Sequence, residues 1–237
     1  MKKPLLLDLY CCAGGCSYGY YLAGFETIGV DIEYQAHYPF TFYQDDALKT
    51  LDTLLTKGAK WNGYALSDFD AIHASPECKG YTDCNLSPKE TYLKQIAPVR
   101  ERLKKTGKPY VIENVMGAKS YMEASLLLCG TMFGLPMERH RLFETNVPIL
   151  FAPSPCNHSI AHIGVYGHSV WDSWLDGTPR KDGRARPDSV PLEVGRLAMG
   201  IPWMGIDELA EALPPVYTQW IGGSHLLDAI EQARRAA

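Results

Sequence analysis

Short apolar runs alternate with amphipathic segments through residues 1–145. The predicted strands are short apolar runs bounded by Gly, Pro or acidic residues, at residues 4–10, 27–31, 40–44, 69–74 and 110–115. The predicted helices carry apolar residues at helical spacing and end near Gly, at residues 17–23, 47–57 and 88–105. This alternation predicts an α/β domain with a mostly parallel sheet.

The pattern becomes less regular toward the C-terminus. Residues 126–133 and 139–145 are expected to form a closing antiparallel pair. After about residue 148, frequent Gly and Pro predict an irregular segment of loops and short strands. An amphipathic helix is predicted at residues 224–236, with Ser224 as its N-cap. We therefore divide the chain into a core at residues 1–145, an insertion at 146–195 and a C-terminal segment at 196–237 that returns to the core.

Composition and charge limit the class of protein. Of the 237 residues, 46 % are hydrophobic and 21 % charged, which is typical of a globular protein. The net charge of −4 argues against nonspecific coating of nucleic acid, although a local basic face can still carry phosphate contacts. The first apolar run is broken by Asp8 and none approaches the roughly 20 residues of a membrane span, so we expect a cytoplasmic protein with no membrane partner.

The cysteines favour reduced thiols. There are seven, an odd number without the spacing of a disulfide framework. Cys11, Cys12 and Cys16 cluster in sequence, as do Cys78 and Cys84, but neither group has the Cys-x-x-Cys spacing of a structural zinc site. We therefore predict no metal site.

The ends of the first three strands carry candidate ligand-binding residues. Gly14 and Gly15 follow the first strand and would let the backbone turn close to a ligand. Asp31 and Asp46 end the next two strands, a layout that suits a nucleoside, with one acid for the ribose and one near the base. Alternatively, both acids cap the helices that follow them.

The fourth and fifth strands lead into candidate catalytic residues. Cys78 lies in a loop bounded by Pro and Gly, where it is either a reactive thiol or an inert packing residue. Lys79 would favour its thiolate and Glu77 would oppose it. Glu113 at a strand end is solvated, bonded to backbone amides, or a proton donor with a raised pKa. Residues 139–141, Arg-His-Arg, form either a surface cluster or a clamp for a phosphate or carboxylate.

Taken in order, these motifs resemble those of the DNA cytosine-5 methyltransferase family. Residues 8–17 and 23–25 resemble its opening cofactor motif, and residues 75–82 resemble its Ser-Pro-Pro-Cys-Gln-Gly-Phe-Ser nucleophile loop. Residues 113–115 are identical to its Glu-Asn-Val motif, and residues 139–141 match its Arg-x-Arg. Residues 221–224 are similar to its late Gly-Asn-Ser motif. The order and spacing agree across nearly the whole chain.

Five positions depart from the family pattern. Glu77 replaces the proline before the nucleophile, and Lys79 replaces the glutamine after it. Met137 stands for a glutamine, Gly223 for the late asparagine and Cys12 for the first glycine of the cofactor loop. The segment between the Arg-x-Arg and late motifs, which recognises the target in the family, is short here.

The resemblance implies a fold, a cofactor and a substrate. The expected fold is a class I S-adenosylmethionine-dependent methyltransferase, Rossmann-like, with a mostly parallel sheet, a closing antiparallel strand and a small irregular target-recognition insertion. The expected cofactor is S-adenosyl-L-methionine and the expected partner is double-stranded DNA, bound by a monomer. By the family's mechanism Cys78 attacks a flipped cytosine, Glu113 hydrogen-bonds its ring, and Arg141, with Arg139 less directly, holds the nucleotide.

The resemblance also implies binding residues. Those expected at the cofactor are Asp8, Tyr10, Cys11, Ala13, Gly14, Gly15, Asp31, Ile32, Asp46, Ala47, Ser75, Pro76 and Ser224. Those expected at the substrate are Lys79, Tyr81, Thr82, Asn114, Arg180, Lys181, Arg184 and Arg186. Three alternatives stay open: methylation of RNA or a pyrimidine nucleotide, an inactive DNA-binding protein with a methyltransferase fold, and a Rossmann-like domain with another cofactor.

Overall fold

The computed structural model describes residues 2–82, 92–149, 151–173 and 188–236. The centre of the fold is a seven-stranded sheet. Its strands are β1 Leu5–Leu9, β2 Glu26–Asp31, β3 Thr41–Gln44, β4 Ala71–Ala74, β5 Tyr110–Asn114, β6 Leu126–Leu128 and β7 Arg141–Thr145. They lie in the order β3-β2-β1-β4-β5-β7-β6, with β1 to β5 parallel and β7 antiparallel to both its neighbours. The predicted fold class is confirmed.

Helices cover both faces of this sheet. The helices of the described residues are α1 Gly15–Ala23, α2 Ala47–Leu55, α3 Ile96–Thr106, α4 Leu192–Met199, α5 Ile206–Glu211, α6 Pro215–Ile221 and α7 Leu227–Ala236. Of these, α4 and α5 pack on a second, smaller sheet described below. Because side chains alternate along a strand, Leu7 packs with α2 and α3 on one face while Leu6 packs with α1 and α6 on the other. Within the described part of the chain, no helix has the length and apolar content to cross a membrane.

Two helix predictions differ from the structure. The helix expected from residue 88 begins at Ile96 among the described residues. Pro98 lies in its first turn, where proline is tolerated, but its ring would clash with a helical turn upstream. Ser224 is not an N-cap: α6 continues through a wide π turn, Gly222–Leu226, directly into α7. The Gly-Gly-Ser stretch therefore lies inside a helical run.

The insertion contains a second small sheet. Its strands are β8 Ile163–Tyr166, β9 Ser169–Asp172 and β10 Asp188–Val190, paired antiparallel in the order β10-β9-β8. Val165 and Val170 of this sheet share an apolar cluster with Met199 of α4 and Leu209 of α5. The predicted boundary at residue 195 falls inside α4, and the domain division stays a prediction.

Candidate active site

The loop after β1 comes close to two other segments. Gly14 has a φ of 88°, in the left-handed region, and a Cβ there would lie 2.9 Å from Cδ of Pro39. A Cβ on Gly15 would lie 2.7 Å from the carbonyl oxygen of Leu213. Cys12, at the position of the family glycine, also has a left-handed φ of 44°. The two glycines therefore let this loop, which we call the glycine cradle, pack tightly against neighbouring segments at the carboxyl edge of the sheet.

The acids after β2 and β3 have structural partners. Asp31 accepts hydrogen bonds from the backbone N–H groups of Cys12 and Glu33, each at 3.0 Å. Asp46 caps α2 by accepting from the N–H of Lys49 at 2.9 Å, as the capping alternative predicted. A carboxylate oxygen has two acceptor sites, so these bonds leave each acid able to accept from a ligand hydroxyl or amine.

An exposed apolar residue lies beside these acids. Ile32 follows Asp31 and is 66 % exposed, although it is a large aliphatic side chain at a strand end. Such a residue next to a carboxylate suits a nucleoside, with the ribose hydroxyls on Asp31 and the flat base on Ile32. The glycine cradle, Asp31 and Ile32 together fit the nucleoside half of S-adenosylmethionine.

Several predicted cofactor residues lie beneath the loop. Asp8 is fully buried and accepts a hydrogen bond from Ser17 Oγ, which also contacts the Tyr38 hydroxyl. Burial raises the pKa of Asp8 to about 7. Cys11, Ala13, Ala47 and Pro76 are buried too, whereas Tyr10 is partly buried among apolar residues. Asp8 thus supports the loop from below.

The C-terminal segment also contacts the cofactor loop. Trp203 Nε1 donates a hydrogen bond to the carbonyl oxygen of Ala13 at 3.0 Å, and its ring meets Tyr18 edge-on at 5.0 Å. His37, in the loop after β2, lies 2.8 Å from Glu208 of α5. Sequence reasoning missed these residues because their partners lie far away in the chain.

The Cys78 turn is anchored by side chains that we had expected to touch the substrate. Its backbone carbonyl accepts from the N–H groups of Tyr81 and Thr82. Tyr81 is only 2 % exposed, and its hydroxyl accepts from the N–H of Ile96. Asn114 Nδ2 donates to the carbonyl of Pro76 at 2.8 Å. Tyr81 and Asn114 therefore hold the turn in place, and their expected contact with a substrate stays a prediction.

Cys78 is the first residue of this turn and is exposed, and charges of both signs act on its thiol. Nearby protein atoms exclude enough water to raise its pKa, and the Glu113 carboxylate raises it further, whereas the Arg141 guanidinium lowers it. Lys79 Nζ lies 3.4 Å from Glu77 Oε1, and both side chains are largely exposed. The two residues beside Cys78 that depart from the family pattern thus pair with each other.

A buried ion pair lies beside the Cys78 turn. Arg141 Nε is 3.1 Å from Glu113 Oε1, at the ends of adjacent strands β7 and β5. Burial raises the pKa of Glu113, while Arg141 and a hydrogen bond from Ser75 oppose that rise. The pair places a carboxyl group that gains a proton easily next to a fixed positive charge.

A buried polar chain leads from Glu113 to α1. Ser75 Oγ lies 2.9 Å from Nε2 of His73, whose Nδ1 lies 2.9 Å from the Tyr20 hydroxyl. His73 Nε2 is also 3.1 Å from the sulfur of Cys16. Burial lowers the pKa of His73 to about 3, so its ring is neutral. His73 was not among the predicted site residues, because a histidine within an apolar run usually belongs to the core.

Arg139 contacts backbone groups of two other elements, and its expected less direct role at the nucleotide stays a prediction. It is 2 % exposed, and its guanidinium donates to the carbonyl oxygens of Val165 in β8 and Ala210 in α5. Its own carbonyl accepts from the Tyr217 hydroxyl at 2.6 Å. Arg139 therefore ties the insertion to the C-terminal segment, and Arg141 alone of the two reaches Glu113.

An open cleft of about 690 Å³ lies between the loop after β5 and the insertion. Its lining includes Arg141 and Thr82 as well as Tyr166 and Trp171 of the small sheet. The cleft thus borders the Glu113–Arg141 pair and has aromatic side chains in its lining. Its dimensions and aromatic wall suit a nucleotide.

Two groups of expected site residues lie elsewhere. Ser224 is at the far end of α1 from the glycine loop, because Gly222 and Gly223 pack on Ala23 while Gly15 packs on Leu213. We therefore remove Ser224 from the candidate cofactor site. The basic residues expected at the substrate, Arg180, Lys181, Arg184 and Arg186, lie outside the described residues.

Solved methyltransferase structures share this architecture. A protein assigned as a DNA modification methyltransferase and encoded within an E. coli prophage matches with a TM-score of 0.61 and 14 % identity, over 97 % of this chain and 100 % of that one. The Entamoeba histolytica methyltransferase EhMeth matches with a TM-score of 0.57 and 12 % identity, over 97 % and 99 %. A Spodoptera frugiperda DNMT2 mutant matches with a TM-score of 0.52 and 14 % identity, over 98 % and 99 %.

At these identities the likeness concerns the fold. No protein-family model matches the chain, and no curated protein sequence matches it. The resemblance that the motifs indicated is supported at the level of architecture, since the three similar structures are matched over nearly their whole lengths. The chain has the fold of class I S-adenosylmethionine-dependent methyltransferases.

Proposed function

We propose that this protein transfers a methyl group from S-adenosylmethionine to carbon 5 of cytosine in DNA. The observation that carries the proposal is the convergence of Cys78 with the buried Glu113–Arg141 pair, whose charges act on its thiol in opposite directions. Strand β4, which leads to Cys78, lies between β1 and β5 in the sheet. The nucleophile turn is therefore flanked by the cofactor loop and by the ion pair.

Cytosine needs covalent activation before its carbon 5 can be methylated. Carbon 5 is a poor nucleophile, and addition of a thiolate to carbon 6 makes it electron-rich. Cys78 is exposed at the start of a turn that three backbone and side-chain hydrogen bonds hold in place. Once carbon 5 carries the methyl group, loss of its proton lets the Cys78–carbon 6 bond break and restores the aromatic ring.

Glu113 and Arg141 would stabilise the charge that develops in the ring. Because its pKa is raised, Glu113 can take up a proton and donate it in a hydrogen bond to the ring nitrogen beside the carbonyl. Arg141 keeps the site electropositive and lowers the pKa of Cys78, which favours the thiolate. Glu113 therefore acts on the cytosine ring, and Arg141 acts on the Cys78 thiol.

The cofactor would lie along the edge formed by the ends of β1, β2 and β3. The glycine cradle, Asp31, Ile32 and Asp46 are the residues that would hold it. When bound, S-adenosylmethionine supplies the electrophilic methyl group. Trp203, by its bond to Ala13, would keep the loop in its binding conformation.

DNA is the substrate class that we favour. The open cleft beside Arg141 suits a nucleotide turned out of a helix, and one similar structure is assigned as a DNA modification methyltransferase. A stacked base cannot bring carbon 6 to a thiol, so a duplex substrate requires base flipping, which costs a few kcal/mol. The rest of the duplex would lie on the face that carries the insertion.

The test uses S-adenosylmethionine with a labelled methyl group. Protein is incubated separately with mixed-sequence duplex DNA, folded RNA and free cytidine nucleotides, and the products are digested to nucleosides. We expect labelled 5-methyldeoxycytidine from DNA, and none with Cys78→Ser, whose cofactor binding by calorimetry shows that it is folded. Label only in RNA or in the free nucleotide would move the proposal to that substrate. Cofactor binding without label in any substrate would favour the inactive binder.

A further inference from the structure

Four side chains with metal-binding atoms converge where the insertion leaves the large sheet: Cys129, His140, Cys156 and His158. One donor atom from each lies within 4.8 Å of all the others. Two sulfur-to-Nε2 distances, Cys129 to His158 and Cys156 to His140, are both 3.8 Å. With bonds of about 2.3 Å to sulfur and 2.0–2.1 Å to nitrogen, a tetrahedral zinc ion holds such atoms about 3.6 Å apart. These two donor pairs have nearly this spacing, and the other pairs lie within 4.8 Å.

The surroundings of the cluster also resemble those of a metal site. Both histidines direct Nε2 toward a sulfur atom, and Nδ1 of His158 faces Oε1 of Glu138 at 3.5 Å. A carboxylate behind a histidine ligand fixes the ring and raises its basicity. The rings of His140 and His158 meet edge-on, with centroids 5.1 Å apart, so they do not stack. This is the arrangement expected of two imidazoles that point at one ion.

Local hydrogen bonds preform the cluster. The backbone N–H of Asn157 donates to Thr131 Oγ1 at 3.2 Å, which holds the segment with Cys156 and His158 against the turn after Cys129. Cys129 is buried, His140 is half-buried, and Cys156 and His158 are exposed. An ion can therefore reach the donors from solvent without unfolding the sheet.

We propose that Cys129, His140, Cys156 and His158 bind one Zn²⁺ as a structural site. Two sulfur and two imidazole ligands in a tetrahedral arrangement select zinc over hard cations such as Mg²⁺ or Ca²⁺. Two thiolates balance the ionic charge, and four protein ligands leave no open position for a catalytic water. The site is separate from Cys78 and does not depend on what the enzyme methylates.

The zinc ion would cross-link the insertion to the strand that carries Arg141. Cys129 directly follows β6, and His140 directly precedes Arg141, the first residue of β7. Cys156 and His158 lie on the segment that enters the insertion. A bond from zinc to His140 therefore fixes the backbone next to the guanidinium that pairs with Glu113. One wall of the cleft includes His140 and Glu138, so the metal also stiffens that wall.

The test measures metal content and coordination in the untagged full chain. Protein is purified with zinc and without chelators, dialysed, and analysed by elemental mass spectrometry. In a second sample the zinc is removed with a chelator and replaced by Co²⁺. Its absorption spectrum is examined for tetrahedral ligand-field bands and for thiolate charge-transfer bands. The variants are Cys156→Ser and His158→Ala. Both side chains are exposed, so neither substitution leaves a cavity in the core. The matched controls are Cys78→Ser and His168→Ala, an exposed thiol and an exposed imidazole outside the cluster.

We expect about one zinc per wild-type chain, loss of most of it in both cluster variants, and full retention in both controls. Wild-type protein should show the spectrum of tetrahedral Co²⁺ with thiolate ligands, and Cys156→Ser should lose much of the charge-transfer band. Three results would overturn the proposal. They are wild-type protein without zinc or cobalt binding, zinc that persists in both cluster variants, and a Cys129–Cys156 disulfide in freshly purified metal-free protein.

Discussion

Arg141 Nε lies 3.1 Å from Glu113 Oε1, and the two side chains are only 17 % and 11 % exposed. Removing one member of such a pair leaves the other charge buried, which typically destabilises a protein by about 3–5 kcal/mol. The pair also sets the field at Cys78, because Glu113 raises the pKa of the thiol and Arg141 lowers it. Its two members can therefore be tested through the reactivity of the cysteine.

Glu113→Gln should separate thiol reactivity from catalysis. Without the carboxylate the pKa of Cys78 falls, so alkylation at a fixed pH near 8 becomes faster, while methyl transfer falls by at least about 100-fold because the ring loses its proton donor. Arg141→Gln should slow alkylation instead. Peptide mass spectrometry of the Cys78 peptide measures the rate for this cysteine alone. Slower alkylation in Glu113→Gln, or methylation within tenfold of wild type, would contradict this account.

Glu77 and Lys79 should have little influence on the nucleophile. Their side chains are exposed and paired, and opposite charges in water contribute roughly 0–1 kcal/mol. We therefore expect Glu77→Pro to change the alkylation rate of Cys78 by less than tenfold at any pH between 7 and 9. The double variant Glu77→Pro/Lys79→Gln removes both charges and should lie still closer to wild type. A change larger than tenfold in the double variant would show that the pair sets the reactivity of Cys78.

The sequence predicted the elements that position this site. Short apolar runs predict where strands end, and the carboxyl ends of parallel strands lie at the same edge of a sheet. Asp31, Cys78 and Glu113 were therefore expected near one another. The sequence did not show which motif side chains face inward. Tyr81, Asn114 and Arg139 belong to the same motifs but satisfy buried backbone groups, and that depends on where segments distant in the chain come to lie.

Substitution by glycine should lower the free energy of unfolding less at Cys12 than at Cys11. At Cys12 the φ of 44° is strained for a residue with a Cβ, which costs about 1–2 kcal/mol relative to right-handed backbone. Cys12→Gly relieves this strain but adds freedom to the unfolded chain, so the free energy of unfolding should stay level or rise by up to about 1 kcal/mol. Urea unfolding measures it. Cys11→Gly is the matched control and should destabilise, because Cys11 is buried. Equal losses in both variants would contradict the assignment of strain.

Asp8 and His73 should give stability opposite dependences on pH. The pKa of Asp8 is raised by burial from 3.8 to about 7, so its contribution to stability is present below pH 4 and is lost as the pH rises to 7. The pKa of His73 is lowered by burial from 6.5 to about 3, so its contribution is present above pH 6.5 and is lost as the pH falls to 3. Each effect is on the order of 4 kcal/mol, and the two largely cancel between pH 4 and 6.5.

A variant that lacks either Asp8 or His73 should show the pH dependence of stability that the remaining residue contributes. In Asp8→Asn the free energy of unfolding should rise with pH between about 3 and 6.5, because the His73 contribution remains. In His73→Gln it should fall with pH between about 4 and 7. Urea midpoints at several pH values measure both slopes. Identical slopes in the two variants would show that neither group is linked to folding in this way.

The four side chains of the proposed zinc site show a different limit of sequence-based prediction. Cys129, His140, Cys156 and His158 have no Cys-x-x-Cys pairing, so spacing alone predicted no metal site. Their donors meet because β6 and β7 pair antiparallel, which brings Leu128, just before Cys129, opposite Arg141, just after His140. Antiparallel pairing of this region was predicted, but the register that aligns the two ligands was not.

The most direct test of the central claim is trapping of the covalent intermediate. A duplex carrying 5-fluorocytosine in many sequence contexts is incubated with the protein and S-adenosylmethionine, then separated under denaturing conditions. Fluorine cannot leave as a cation, so Cys78 should stay bonded to carbon 6. We predict a denaturant-resistant adduct on the Cys78 peptide that is absent in Cys78→Ala. No adduct in any context, from protein that binds the cofactor, would contradict cytosine-5 methylation of DNA by Cys78.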